Sequence, residues 1–202
     1  MKKEISERIR EVLSCEAQEI EKLENSLSGE QLEQVKRALL RCTGKVILTG
    51  CGTSGTAAKK ISHTLNCIEI PALFLSPAEG LHGGLGAATK EDIVILISKG
   101  GKSFEMDSIL RSCNQMGVAT IAVTENEDTY LARNTTMQLF VRVDREPDSF
   151  NMLATASTMA VIAVFDALAI EMAEEKNFTK EHFLRIHPGG EVGERLKSQL
   201  NE

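Results

Sequence analysis

The sequence predicts an α/β protein in three layers, in which a five-stranded parallel sheet is flanked by helices and preceded by a helical extension. Short apolar runs alternate with helical stretches from residue 46 onward. The runs are apolar almost throughout rather than at every second position, which is typical of strands buried on both faces of a parallel sheet. The candidate strands are 46–49, 72–75, 93–98, 119–124 and 138–143.

Helices are predicted before and between these strands. Apolar residues at helical spacing indicate two amphipathic helices, over 3–25 and 29–41, with Ser28 as the cap of the second. We expect residues 1–44 to pack on a domain formed by residues 45–202, where they cover the sheet or make a subunit contact. Three further helices are predicted over 56–66, 103–116 and 154–176.

Composition and charge narrow the class of ligand. The chain has 202 residues, a net charge of −6 and a pI near 5.4. Its Lys and Arg residues are scattered rather than grouped in a basic stripe, which argues against nucleic acid and anionic membranes as partners. Only 4% of the residues are aromatic and Trp is absent, so stacking platforms for single strands are lacking. We therefore expect a small ligand.

The cysteines and histidines do not indicate a metal site. Five cysteines without a C-x-x-C pair indicate free thiols in the reducing cytoplasm, where we expect the protein to work. Four histidines lack H-E-x-x-H spacing, so no metal is expected. No apolar run approaches the roughly 18 residues of a membrane span, so we expect no membrane partner.

The first candidate strand ends in a loop, KVILTGCGTSG over 45–55, that runs at once into a helix. Such a corner directs backbone N–H groups and the hydroxyls of Thr53 and Ser54 toward one place, beside the positive end of the helix dipole. This arrangement suits an anion. The glycines also fit the G-x-G-x-x-G pattern of dinucleotide-binding folds, although the acidic residue expected about 20 residues further on is not clearly present.

The third candidate strand ends in a similar loop, Ser98–Ser103, with the sequence SKGGKS. Ligands of open parallel sheets bind outside the carboxyl ends of the strands, so we expect the two loops to meet at one cleft. Lys99 and Lys102 add positive charge to an otherwise acidic protein, which favours a phosphorylated ligand. The alternative is that Gly and Ser only form tight turns at both places.

Five motifs together resemble the sugar isomerase (SIS) domain, and within it the arabinose-5-phosphate isomerases. They are CGTS over 51–54, GLHGGLG over 80–86, SKGGKSFE over 98–105, LATAST over 153–158 and HPGGEVGERL over 187–196. The resemblance covers about 46–196. It implies a phosphosugar-binding domain with a five-stranded parallel sheet, assembled as a homodimer or homotetramer, with no organic cofactor.

The resemblance also implies catalytic roles. An aldose–ketose isomerase moves a proton between C1 and C2, which requires a carboxylate base, and Glu146 matches the family's catalytic Glu. His187 and His82 match family histidines, which suit proton transfer during ring opening, and Glu105 matches an acidic site position. A histidine of related assemblies can come from the neighbouring subunit. The candidate substrate-binding residues are Gly52, Thr53, Ser54, Ser98, Lys99, Lys102, Ser103, Thr155 and Ser157.

Each of these catalytic candidates also has an ordinary structural interpretation. Glu105 fits a first-turn helix carboxylate that the helix dipole favours. Glu146 fits a solvated loop, and a His before Pro-Gly-Gly is often a turn residue.

The sequence departs from the family at several positions. Arabinose-5-phosphate isomerases commonly have Lys where this chain has Thr53. Gly100 replaces a phosphate-binding Ser and Lys102 replaces Glu, and our hypothesis is that Lys102 or Lys99 restores the missing positive charge. Many relatives continue into a pair of CBS modules, whereas this sequence ends at Glu202, so we expect no regulation by that route.

The function predicted from the sequence is aldose–ketose isomerisation of a sugar phosphate through an enediol, arabinose 5-phosphate to ribulose 5-phosphate or a related pair. A phosphosugar-binding sensor without turnover is the alternative. A dinucleotide-dependent oxidoreductase is a third interpretation.

Overall fold

A five-stranded parallel sheet forms the centre of the protein, as the sequence predicts. The structure is a computed structural model that describes residues 5–200. The strands lie in the order β2-β1-β3-β4-β5. They are β1 (Val46–Gly50), β2 (Ala72–Phe74), β3 (Ile93–Ile97), β4 (Ala119–Thr124) and β5 (Met137–Phe140). The last strand ends before the predicted residue 143, because its neighbour β4 ends at Thr124 and only Val141 N–H still finds a partner, the Thr124 carbonyl.

The predicted helices are confirmed, and four further helices that were not predicted accompany them. The helices are α1 (Glu7–Ser26), α2 (Gly29–Arg41), α3 (Gly52–Asn66), α4 (Pro77–Leu81), α5 (Phe104–Met116), α6 (Tyr130–Asn134), α7 (Ala156–Glu175), α8 (Lys180–Ile186) and α9 (Gly190–Leu200), with a 3₁₀ turn at Gly84–Ala87. The predicted start of α1 at residue 3 lies outside the described residues. The helix α3 begins four residues earlier than predicted, so Thr53 and Ser54 belong to its first turn.

Helices cover both faces of the sheet and complete three layers. Alternate side chains of each strand enter opposite cores: Val46 and Leu48 face one core and Ile47 faces the other. The first core contains side chains of α2, α3 and α7, and the second contains those of α5 and α6. Because both faces are buried, the strands are apolar at successive positions.

The N-terminal helices pack on the rest of the chain. Ser28 caps α2 by accepting a hydrogen bond from Gln31 N at 3.3 Å. The Gln31 side chain in turn accepts from Phe140 N of β5 at 3.2 Å, and Lys36 Nζ lies 2.7 Å from the Glu171 carboxylate of α7. The helix α2 therefore packs against the edge strand β5 and against α7.

The helix α7 corrects the expectation that no apolar stretch approaches the length of a membrane span. By length and composition it is apolar enough to cross a membrane, because it contains few charges although no unbroken apolar run is that long. Its side chains Phe165, Leu168 and Met172 are buried in the core against the sheet. The core helix of a globular domain meets the same criterion, and this burial gives α7 that role.

Candidate active site

The two predicted loops lie side by side at the carboxyl edge of the sheet. In the strand order 2-1-3-4-5 the connections leave β1 and β3 toward opposite sides, so a crevice opens between these two strands. The first loop leads from β1 into α3, and the second leads from β3 into α5. The expectation that both loops meet at one cleft is confirmed, since Thr53, Ser54 and Lys99 line the same cleft.

The glycines of the first loop have a packing role. A Cβ atom on Gly55 would lie 2.5 Å from the Gly50 carbonyl oxygen, so only glycine permits this close approach of strand and helix. Gly52 has a φ of 55°, which glycine adopts without strain. The chain leaves β2 through Leu75 and Ser76, and this turn has no carboxylate for a ribose. The G-x-G-x-x-G spacing is therefore explained without a dinucleotide.

The first cleft lies between the starts of α3 and α7. Its cavity volume is about 40 Å³. Hydroxyls of Thr53 and Ser54 lie on one side and those of Ser157 and Thr158 on the other, and Lys99 provides a cation. Its other lining residues are Ala57, Ile97, Val123, Thr124, Val141, Ala154 and Val161. The cleft combines an apolar floor with a rim of hydroxyls, which suits a small polyhydroxylated anion.

Glu146 lies buried beside this cleft. Its Oε1 atom accepts from Lys99 Nζ at 2.6 Å and from the Ser157 hydroxyl. Its Oε2 atom accepts from the backbone N–H groups of Thr155 at 3.0 Å and Ser157 at 3.4 Å. Burial alone would raise the pKa of this carboxyl, but Lys99, Ser157 and Thr155 outweigh burial and hold the pKa below its ordinary value. Glu146 is therefore a carboxylate at neutral pH, and it is not in a solvated loop.

The loop that carries Glu146 is stabilised by hydrogen bonds between its own residues. Asp148 accepts from the backbone N–H groups of Phe150, Met152 and Leu153 at 2.9, 3.0 and 2.8 Å. Asn151 accepts from Glu146 N at 2.6 Å. Sequence reasoning missed Asp148 and Asn151, although the D-x-x-N spacing of a side-chain-closed turn was a usable signal.

The same loop is also held by α1. The buried Glu19 accepts from Asp144 N at 2.6 Å, and Arg8 donates to the Pro147 carbonyl at 2.5 Å. These two contacts flank Glu146. The N-terminal helix, for which no chemical role was predicted, thus helps to fix the position of the carboxylate.

The second loop directs Lys99 into the cleft and leaves Lys102 outside. The Lys99 carbonyl accepts from the Thr124 hydroxyl at 2.8 Å and from Glu125 N at 2.9 Å, which fixes the backbone there. Lys102 is exposed and lines neither of the two clefts beside the first loop. Of the two lysines in the charge hypothesis, only Lys99 is in contact with the site.

Glu105 lies in a second cleft, on the other side of the first loop. That cleft is lined by Gly50, Cys51, Gly52, Gly55, Thr56, Lys59, Phe74, Ser76, Pro77, Ala78 and Glu105. Glu105 accepts from the Ser103 hydroxyl at 2.7 Å. This hydrogen bond, followed by that from its own backbone N–H, holds the pKa of Glu105 below its ordinary value. Glu105 therefore has the environment of a first-turn helix carboxylate at the edge of the site.

The two candidate histidines do not reach Glu146 within one chain. His187 Nε2 lies 3.5 Å from the sulfur of Cys67, and its ring stacks on Phe183 at 4.0 Å. Cys67 follows the last turn of α3, fourteen residues beyond Thr53, which corresponds to about 21 Å along the helix. His82 follows α4 and is exposed. The predicted constellation of Glu146, Glu105, His82 and His187 is therefore not formed by a single chain.

The cysteines are free, as the sequence predicts. Within residues 5–200 no group of three His, Cys, Asp or Glu side chains is arranged to hold a metal ion. Cys51 lies in the second cleft, where its sulfur is 3.9 Å from the Ser103 hydroxyl.

Comparison with known proteins identifies the family. Residues 39–171 match the SIS domain. The chain is 36% identical over 192 residues to arabinose 5-phosphate isomerase KpsF of Escherichia coli, covering 95% of this chain and 61% of that protein. It is 37% identical over 189 residues to arabinose 5-phosphate isomerase KdsD of Francisella tularensis, covering 92% and 58%. The chain thus spans about three-fifths of the length of these curated relatives.

Solved structures agree with this match. A Listeria monocytogenes protein that has been proposed to be a sugar-phosphate isomerase is 46% identical, with a TM-score of 0.89, over 92% of this chain and all of that one. An Escherichia coli CFT073 protein in complex with arabinose 5-phosphate is 31% identical, with a TM-score of 0.86, over 89% of this chain and 95% of that one. The chain therefore belongs to the SIS domain family.

Proposed function

We propose that the protein is a phosphosugar aldose–ketose isomerase that interconverts arabinose 5-phosphate and ribulose 5-phosphate or a related pair. The observation that carries this proposal is the buried, ionised carboxylate of Glu146 beside a hydroxyl-lined cleft. The similarity to arabinose 5-phosphate isomerases, at 36–37% identity for the two relatives described above, supports the choice of substrate. These relatives are longer than this chain, and their activity is assigned to this chain as part of the proposal.

The substrate's phosphate is expected at the start of α3. In this proposal the hydroxyls of Thr53 and Ser54 and the N–H groups of the first turn, which includes Gly52, donate to the phosphate, next to the positive end of the helix dipole. Ser98, Lys99 and Ser103 of the second loop complete the phosphate site in this proposal. Lys102 is exposed and would contribute only a long-range charge.

Glu146 acts as the base in this proposal. It takes the proton from C2 of the open-chain aldose while the C1 carbonyl oxygen gains a proton, which gives the enediol. Return of the proton to C1, with loss of the O2 proton, gives the ketose. Thr155 and Ser157 keep the carboxylate in one orientation through their backbone N–H groups and the Ser157 hydroxyl, so that little reorganisation accompanies the transfer.

Ring opening requires a proton-transfer group, and His187 and His82 are the candidates. Because neither reaches Glu146 within one chain, they would act from a second copy in a homodimer or homotetramer. Exposed apolar side chains support assembly: Ile5, Ile9 and Leu13 of the N-terminal segment are 51–56% exposed, and the loop after Glu146 adds Phe150, Met152 and Leu153. We place this assembly in the cytoplasm, with no nucleic acid or membrane partner.

The test is a coupled assay across arabinose 5-phosphate, ribose 5-phosphate, xylulose 5-phosphate, fructose 6-phosphate and allulose 6-phosphate. Conversion of at least one aldose–ketose pair is expected, and Glu146→Gln is the control that lacks the base. If the purified protein binds these phosphates and leaves all of them unchanged, the isomerase proposal is wrong and the sensor interpretation replaces it.

A further inference from the structure

The Glu146 carboxylate has no free acceptor position. A carboxylate offers about four lone-pair positions, and here four donors occupy them: Lys99 Nζ, the Ser157 hydroxyl, and the N–H groups of Thr155 and Ser157. A base must present at least one lone pair to the C–H bond that it attacks. One of the four donors therefore has to leave when the proposed reaction takes place.

Lys99 is the donor that can leave at the lowest cost. The two backbone N–H groups lie at the start of α7, and the Ser157 hydroxyl is on a short side chain of the same turn. Lys99 has a long, flexible side chain that remains 35% exposed, whereas the Glu146 side chain is fully buried. Lys99 lines the same cleft as Thr53 and Ser54, where the phosphate is expected.

Two further charged groups lie near this pair, the carboxylate of Glu125 and the guanidinium of Arg142, which donates to the Glu125 carbonyl at 2.7 Å and pairs with Glu127. Glu125, in the segment after β4, is half-buried, and burial raises the pKa of its carboxyl, with Lys99 opposing and Glu146 reinforcing that rise. The adjoining turn of α7 contributes only the uncharged Thr155 and Ser157, and the first loop contributes only Thr53 and Ser54. Within the described residues, Lys99 is thus the cation that compensates the buried charge of Glu146.

We propose that Lys99 is the exchangeable counter-ion of Glu146. Its ammonium group binds the carboxylate before substrate binds. The side chain then moves so that the ammonium group binds the substrate's phosphate, and one carboxylate oxygen becomes free to accept the proton. This inference rests on the proposed function for the identity of the substrate. It makes Lys99 both a positioning residue for the base and a phosphate ligand, and it ties the freeing of the base to the arrival of a phosphorylated sugar.

The experiment compares Lys99→Met, Lys99→Gln and Lys99→Arg with a matched control, Lys45→Met. Lys45 pairs with the buried Asp92 at the opposite edge of the sheet at 2.7 Å, with similar exposure. The carboxyl of Glu146 is titrated by ¹³C NMR on glutamate-labelled protein, with the resonance assigned by its loss in Glu146→Gln. The affinity for arabinose 5-phosphate is measured by calorimetry on the same samples.

We expect the Glu146 carboxyl to titrate at higher pH in Lys99→Met and Lys99→Gln, because burial is then no longer compensated. The acid limb of the kcat/KM profile should move in the same direction. Affinity for arabinose 5-phosphate should fall by about tenfold to a hundredfold, as for loss of a charge-assisted hydrogen bond. Lys99→Arg should restore the titration, and Lys45→Met should leave titration, affinity and pH profile unchanged.

Two results would overturn the inference. Weaker binding with an unchanged titration of Glu146 would mean that Lys99 is only a phosphate ligand. A shifted titration with unchanged affinity would mean that the Lys99 ammonium group does not move to the phosphate. Failure of the proposed function looks different: the wild-type protein would then convert no sugar phosphate, while the titration and the binding measurement would still decide the role of Lys99.

Discussion

Two ion pairs with buried carboxylates lie at opposite edges of the same sheet, and they differ in what surrounds them. At the amino edge Lys45 Nζ lies 2.7 Å from Asp92, and at the carboxyl edge Lys99 Nζ lies 2.6 Å from Glu146. The carboxylates are 1% and 0% exposed, and the lysines 30% and 35%. Both carboxyl groups have a lowered pKa despite burial. Distance, burial and charge therefore do not distinguish them.

Their other partners do distinguish them. Asp92 also accepts from Lys45 N at 2.7 Å and from the N–H and hydroxyl of Thr89 at 2.8 and 3.1 Å. The Thr89 donors close a short turn, and a Cβ on Gly44 would lie only 2.2 Å from the Asp92 carboxylate. The further donors to Glu146 lie at the start of α7, and this carboxylate adjoins a cleft. A lowered pKa is thus found in a structural pair and in a candidate catalytic pair. The adjoining cleft is the feature that distinguishes the catalytic candidate.

The largest predicted effect is loss of turnover in Glu146→Gln. The amide keeps the shape of the side chain but cannot accept the C2 proton, so kcat should fall by about 10²- to 10⁴-fold while arabinose 5-phosphate still binds. The coupled assay measures kcat, and exchange of the C2 proton with deuterated solvent measures the step itself. The matched change Asp92→Asn should leave kcat unchanged. Persistent exchange in Glu146→Gln would transfer the base role to Glu105, which Glu105→Gln would then test.

The next effect concerns stability, and it is expected at the amino edge. Asp92→Asn removes the charge that pairs with Lys45. The amide also has one oxygen in place of the two carboxylate oxygens, which accept three further hydrogen bonds. Because Lys45 is partly exposed, its ammonium group regains water, which limits the cost. We expect the free energy of unfolding to fall by about 2 kcal/mol. Urea denaturation at pH 7 measures it, and a change below about 0.5 kcal/mol would contradict a structural role for this pair.

The acid dependence of stability should reflect both pairs. Each carboxyl has a folded-state pKa below the ordinary value, so the stability that each contributes is present above the ordinary pKa and is lost as the pH falls through the lowered folded-state pKa. Those ordinary values are 3.8 for Asp and 4.5 for Glu. Denaturation at pH 7, 5, 4 and 3 should show the free energy of unfolding declining below about pH 4.5. The decline should be shallower in Asp92→Asn and in Glu146→Gln, and an unchanged slope in both would refute the linkage.

The sheet and the two loops at its carboxyl edge could be predicted from the sequence because their signals are local. Each strand is an apolar run bounded by turn residues, and both loops combine Gly with Ser or Thr before a helix. The five-residue helices α4 and α6 could not be predicted, since so few residues carry no periodicity. The closure of the Glu146 loop also escaped prediction, because its partners Arg8 and Glu19 lie more than 120 residues away in the chain.

His187 was predicted from a motif alone, and its place depends on how the last helices pack. The structure puts it against Cys67 and away from Glu146, so the motif match does not place it beside the Glu146 of its own chain. Lys99 is the opposite case. The sequence left Lys99 and Lys102 as equal candidates, and the backbone hydrogen bonds of Lys99 to the end of β4 decide which of them enters the cleft.

The smallest predicted effect tests whether α1 matters to the carboxyl edge. Glu19→Gln keeps an oxygen that can accept from Asp144 N and loses only the charge next to the half-exposed Lys22. We expect a loss of about 0.5–1 kcal/mol in the free energy of unfolding and a kcat within about twofold of wild type. Gln18→Ala, at an exposed position of α1 whose amide donates to Ser14, is the matched control, with a change below about 0.5 kcal/mol. A tenfold fall in kcat in Glu19→Gln at unchanged stability would instead make α1 part of the machinery that orients Glu146.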